Sequence, residues 1–180
     1  MRKILFVILF FVATIANAQC YTKFKGIEIK GTIEEFGAKL EKQGFTFVKN
    51  NPGVFGYTGK YWGEEVTIVV FYTVKTRTTY SVNVIFHDKD TREYIEIRYN
   101  KLLELLTQKY GEPAEKNVPF DAGGEYLGEI CSRWKDECGG ITLKKTHVAM
   151  SKYHNEDVVI LTYWSAEGYD LNDAELLEEL

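Results

Sequence analysis

The clearest alternation along the chain is TYSVNVIF, residues 79–86. Tyr80, Val82, Val84 and Phe86 fall on one side, and Thr79, Ser81 and Asn83 on the other. A period of two with one apolar side predicts an antiparallel strand with one covered face and one wetter face. Two β-rich stretches precede it. VFGYTGKYW (54–62) runs to a turn at Gly63, and VTIVVFY (66–72) runs to a polar turn near Lys75–Thr78.

Helical spacing appears before and after this block. In Thr32-Ile33-Glu34-Glu35 the threonine oxygen is placed to accept from the Glu35 amide, and Glu35 to reach back, which is a capping box. Ile33, Phe36 and Leu40 recur at helical intervals and Gly44 supplies a left-handed stop, so a helix is predicted over 33–43. Asp90 and Thr91 cap a second helix, with Glu93 in its first turn. Its apolar stripe is Tyr99, Leu102, Leu106 and Tyr110, and Lys109-Tyr110-Gly111-Glu112-Pro113 ends it with a cation, a glycine and a proline. Residues 114–124 read as an irregular linker. Three more strands are expected at 126–134, 141–148 and 157–164, and the acidic tail DLNDAELLEEL as a short final helix.

The two halves read as one unit used twice. Trp62-Gly63 followed by VTIVVF parallels Trp134 followed, after Gly139-Gly140, by ITLKK; YSVNVIF parallels VVILTYW. One helix on three strands buries little, whereas two such units sharing a sheet bury a core. The predicted fold class is therefore α+β: a largely antiparallel sheet with helices on one face. It is built from two tandem α-β-β-β units, about 26–88 and 91–165, followed by an acidic C-terminal tail at 168–180.

Composition agrees with one folded domain: 180 residues, 45% hydrophobic and 14% aromatic. The start is set apart as a secretory signal peptide over 1–18. Arg2 and Lys3 precede an apolar run that ends at Ala16-Asn17-Ala18, with cleavage expected after Ala18. That run is too short for a transmembrane anchor. The mature domain then spans 19–180 in the periplasm or outside the cell. It carries 22 − 2 = 20 basic against 26 acidic residues, and so repels phosphate backbones. No nucleic-acid partner is expected. Asn17 and Gln19 flank Ala18 where a lipobox needs other residues, which argues against acylation at Cys20.

FKGIEIKGTIEEFGAKLEKQGF, with LLTQKYGEP later, resembles a group of uncharacterised secreted proteins of gut Bacteroidetes. The likeness lies at Gly26-Ile27, Gly31, Leu40, Gly44-Phe45 and Tyr110-Gly111-Pro113, and departs from the pattern at Gln43, inserted before Gly44. It covers about the first two-thirds of the mature chain. These positions are caps and stops, so the resemblance implies no activity. The tandem layout is similar in architecture to the β-lactamase inhibitor protein and to small outer-membrane assembly lipoproteins, which by itself implies no function.

CSRWKDEC, residues 131–138, holds two cysteines around a tryptophan. The spacing is too wide for a thioredoxin-type pair and does not match structural zinc, even with His147 and His154 downstream. In an oxidising compartment a Cys131–Cys138 disulfide is expected, with a pair through Cys20 as the alternative. A tight turn at Gly139-Gly140 would place Cys131 too far up the strand for that bond. His87 beside Asp88 reads as a solvated strand end, and neither a G-x-S-x-G elbow nor an H-E-x-x-H run is present. No catalytic residue, metal or cofactor is expected.

The aromatic residues remain. Tyr57, Tyr61 and Trp62 in one half, and Trp134 and Trp164 in the other, are the expected binding residues, since such rings bury large area with few rotors. Trp62 shares a parity with Thr58 and Lys60 and is the one most expected to be exposed. The function expected is a non-catalytic binding or inhibitor-like module whose partner, an envelope or extracellular protein or peptide, docks on the open sheet face. The alternatives are an envelope hydrolase with an unrecognised active site and a structural envelope component.

Overall fold

A computed structural model describes residues 22–87, 92–119, 130–151 and 154–178. The elements in chain order are β1 (Lys23–Phe24), β2 (Ile27–Glu28), α1 (Ile33–Lys42), β3 (Thr46–Asn51), β4 (Val54–Tyr61), β5 (Glu64–Tyr72) and β6 (Thr79–His87). There follow α2 (Arg92–Tyr110), β7 (Glu115–Pro119), β8 (Ile130–Asp136), β9 (Gly139–Ser151), β10 (His154–Ser165) and α3 (Ala166–Leu177). The fold is α+β. Eight strands form one antiparallel sheet in the order β3-β4-β5-β6-β10-β9-β8-β7, and β1 and β2 form a separate ribbon.

The helix ends follow the local chemistry. Thr32 Oγ1 accepts from the Glu35 amide at 3.3 Å. Gly44 takes φ +87°, and the Phe45 amide reaches back to the Leu40 carbonyl at 3.2 Å. Gly111, at φ +82°, ends α2, its amide donating to the Thr107 carbonyl at 2.9 Å.

One sheet face carries Ile68, Val70, Val82, Val84, Leu143 and Leu161, all buried. Phe36 and Leu40 of α1, and Ile95, Tyr99 and Leu106 of α2, join them in one core. Helices on one face describes only these two. α3 lies against the other face, where Tyr169 meets Trp164 edge-on at 5.8 Å.

α1 and α2 are each followed by four strands, not the three expected. β3 comes after α1, and β7 occupies part of the expected linker. Both are terminal strands of the sheet. β3 is exposed along its whole length, so its sequence shows no apolar period. A second difference concerns Tyr80. Phe71 pairs with Ser81 and Tyr72 with Thr79, leaving Tyr80 as an extra residue on β6. This bulge turns Tyr80 away from Val82 and Val84, against Phe71 and Tyr169.

The expected Cys131–Cys138 disulfide does not form. Cys131 is a free, buried thiol on β8 paired opposite Lys144, whereas Cys138 lies in the loop between Asp136 and Gly139. The tight turn separates the two, and Cys138 is disulfide-bonded elsewhere. The alternative partner, Cys20, and the expected signal peptide lie outside the described residues. No helix among the described residues is long and apolar enough to cross a membrane.

Candidate functional site

Two hairpin tips face one cavity. Phe24 pairs with Ile27 and Tyr61 with Glu64, so each hairpin closes through two residues, Lys25-Gly26 and Trp62-Gly63. All four take positive φ: Lys25 +48°, Gly26 +81°, Trp62 +52° and Gly63 +84°. Such turns match the twist of the strands but favour Asn or Gly at the first position. Lysine and tryptophan in that conformation are strained. Here they stand at the rim of a cavity of about 900 Å3.

The β1–β2 ribbon is fixed by Phe24, which is fully buried and stacks on Tyr61 at 5.5 Å. Alternation along the ribbon sends Phe24 into the core and leaves Lys23 and Lys25 on the cavity side. Opposite, the C-terminal end of α2 brings Lys109, Tyr110 and Glu112, and the β8–β9 hairpin brings Trp134, Lys135 and Asp136. The Trp134 indole N–H donates to the Gly111 carbonyl at 2.8 Å, which fastens the helix stop to β8.

Tyr61 and Tyr163 also line the cavity, their hydroxyls 2.8 Å apart. Burial pushes the Tyr61 hydroxyl up to about 12, and burial together with Tyr61 raises Tyr163 as well. Both stay protonated near neutral pH. Above them the Trp62 ring lies 4.6 Å from Tyr61 and remains 49% exposed.

The lining holds four lysines against two carboxylates. Glu112 pairs with Lys116 at 3.3 Å, and Asp136 accepts the Cys138 amide at 2.8 Å. Lys25 lies over the Phe45 ring at 5.1 Å, and Lys109 over the Tyr110 ring at 4.8 Å. The arrangement offers stacking faces, hydrogen-bonding hydroxyls and positive charge.

Of the five expected aromatics, Tyr61, Trp62 and Trp134 meet at this cavity, drawn from both halves of the chain. Trp62 is exposed, as expected. Tyr57 is not a site residue: it is 1% exposed, and a Cβ on Gly37 of α1 would sit 2.2 Å from its hydroxyl. Trp164 points to the opposite face, in a shallow depression with Thr142 and Thr162. Tyr110 and the lysines escaped sequence reasoning, whereas Tyr163 stands with Trp134 and Trp164 in the aromatic cluster of the second half. Lys109-Tyr110 reads as a helix stop, and Lys25-Gly26 as a plain turn, until the tertiary structure brings them together.

His87, expected as a solvated strand end, is part-buried, its ring Nε2 hydrogen-bonded to Thr67 Oγ1 at 2.9 Å on the face away from α1 and α2, while Asp88 lies outside the described residues. Among the described residues, no group of three or more His, Cys, Asp or Glu is placed to hold a metal ion. Compared with protein-family models, with curated proteins and with solved structures, the chain matches none.

Proposed function

We propose that the chain is a secreted or periplasmic, non-catalytic binding module whose ligand seats in the cavity between the Lys25 and Trp62 hairpin tips. The observation that carries this reading is the convergence there of exposed Trp62, buried Tyr61 and Trp134, and four lysines. A concave aromatic site with a few fixed polar groups is what a ligand site requires. Its two carboxylates already serve Lys116 and the Cys138 amide, which suits binding better than acid–base chemistry. The reading places the cavity, rather than the open sheet face, at the centre of binding.

Two further parts belong to the proposal. The signal peptide is removed after Ala18, delivering the mature chain to an oxidising compartment, consistent with a disulfide at Cys138. The two halves, α1 with β3–β6 and α2 with β7–β10, are one unit used twice, joined where β6 pairs with β10. The cavity then gathers residues from both units, which neither would hold alone.

Pull-down from the protein's own envelope fraction tests the reading, with Trp62→Asn run in parallel. A partner retained by the wild type and lost by the variant supports it. Recovery of no partner, together with turnover of a substrate from a hydrolase panel, overturns it in favour of an envelope hydrolase.

A further inference from the structure

The cavity's charge runs against the charge of the chain. The sequence has net charge −4, yet four lysines and two carboxylates line the site. A local excess of one sign within a concave surface concentrates ligands of the other sign. Lys23 pairs with Glu28 at 3.5 Å and Lys135 with Glu115 at 3.7 Å, while Glu112 pairs with Lys116 at 3.3 Å, so the lining's uncompensated charges are Lys25 and Lys109 against Asp136. Lys25 and Lys109 rest on ring faces and make no ion pair among the described residues. An ammonium over a ring keeps its charge and its donors toward solvent.

The second feature is the strain at the rim. At φ +52° the Trp62 ring rests on Tyr61 at 4.6 Å and still stays half exposed. A large ring held out in an unfavourable backbone conformation is a stacking platform kept in place. Lys25 repeats the device with a charge, at φ +48° on the opposing tip. Stacking face and cation therefore line one cavity. Lysine suits an anion whose orientation varies, because its ammonium imposes no fork geometry. The cavity volume, about 900 Å3, fits a ligand of small-molecule or short-oligomer size.

We infer that the ligand of this site is an anion carried on a ring, its carboxylate, sulfate or phosphate held by Lys25 and Lys109 and its ring face laid on Trp62. The inference rests on the binding reading above and names the ligand class. Acidic saccharides and aromatic acids share this chemistry, and the experiment separates them.

The mature protein is titrated calorimetrically with trigalacturonate, with neutral galactotriose and with indole-3-acetate, while the Trp62 indole resonance is followed by NMR. Trigalacturonate binding tightest assigns an acidic saccharide; indole-3-acetate binding tightest assigns an aromatic acid. Either outcome supports the inference. The favoured probe weakens at least about tenfold in Lys25→Gln/Lys109→Gln, and its affinity falls as sodium chloride rises from about 20 to about 300 mM. Galactotriose binding as tightly as the charged probes, or unchanged affinity in the double variant, overturns the inference while leaving a binding module in place. A Trp62 resonance unmoved by all three probes also overturns it, and the envelope pull-down then decides separately whether the module binds at all.

Discussion

The hydroxyls of Tyr61 and Tyr163 meet at 2.8 Å, although the residues stand 102 positions apart in the chain. One lies on β4 and the other on β10, so the bond crosses from the first half of the sheet to the second. Each hydroxyl has the other as its partner within a buried site. Removing one leaves the other unsatisfied, at a cost of about 1–3 kcal/mol. Tyr61→Phe and Tyr163→Phe should each destabilise by that amount in urea unfolding, and the double variant by less than their sum. Full additivity would show that the two hydroxyls do not interact.

The same pair sets an alkaline limit. The folded Tyr61 hydroxyl titrates near 12, above the ordinary tyrosine value of 10, and Tyr163 is raised too. Between those values the unfolded chain has lost a proton that the folded chain keeps. The stabilisation is therefore complete below about pH 9 and is lost as pH rises from about 10 toward 12. Urea midpoints measured from pH 8 upward should fall across that window. The fall should be shallower in Tyr61→Phe/Tyr163→Phe.

Trp62 separates function from stability. Asparagine fits the positive φ of the Trp62 position better, a gain of about 1 kcal/mol, offset by a similar loss of ring contact with Tyr61. Trp62→Asn should thus unfold within about 1 kcal/mol of the wild type while losing the ligand. A destabilisation beyond about 2 kcal/mol would assign the ring a structural role instead.

The cysteines make a chemical prediction. Cys131 is buried and free, and burial raises its thiol pKa, so alkylation should be slow until the protein is unfolded. Cys138 is disulfide-bonded and Cys131 is not its partner, which leaves the expected alternative through Cys20, a residue outside the described ones, as the pairing to test. Mass mapping of a non-reduced digest should yield a Cys20–Cys138 peptide. A Cys131–Cys138 peptide would contradict this arrangement.

Gly140 tests the packing beneath the site. A Cβ there would lie 2.3 Å from the Trp134 carbonyl oxygen and 3.0 Å from the Trp164 ring. Neither the backbone nor a ring packed on it yields cheaply. Gly140→Ala should lose at least about 2 kcal/mol by thermal or urea unfolding, a larger effect than any surface substitution.

Much of this fold is legible in local pattern. The cap at Thr32, the stops at Gly44 and Gly111, and the alternation of β6 depend on neighbours within a few residues, so sequence alone determines them. The exposure of Trp62, expected from strand parity, comes instead from its place in the two-residue turn beyond β4. Other features depend on partners remote in the chain. β3 and β7 carry no apolar period because they are terminal strands, and only pairing with β4 and β8 reveals them. The bulge at Tyr80 depends on the register of β5. The cysteine pairing turned on a two-residue loop, which put Cys138 at the hairpin tip and Cys131 inside β8. The aromatic clusters were visible as residue types, but not their sides: Tyr57 entered the core and Trp164 the opposite face. The lysine-rimmed cavity is wholly tertiary. Its walls come from a ribbon tip, two hairpins, a helix end and β10, and no local interaction links them. Charges and rings on separate elements become a site only when the sheet order sets those elements side by side.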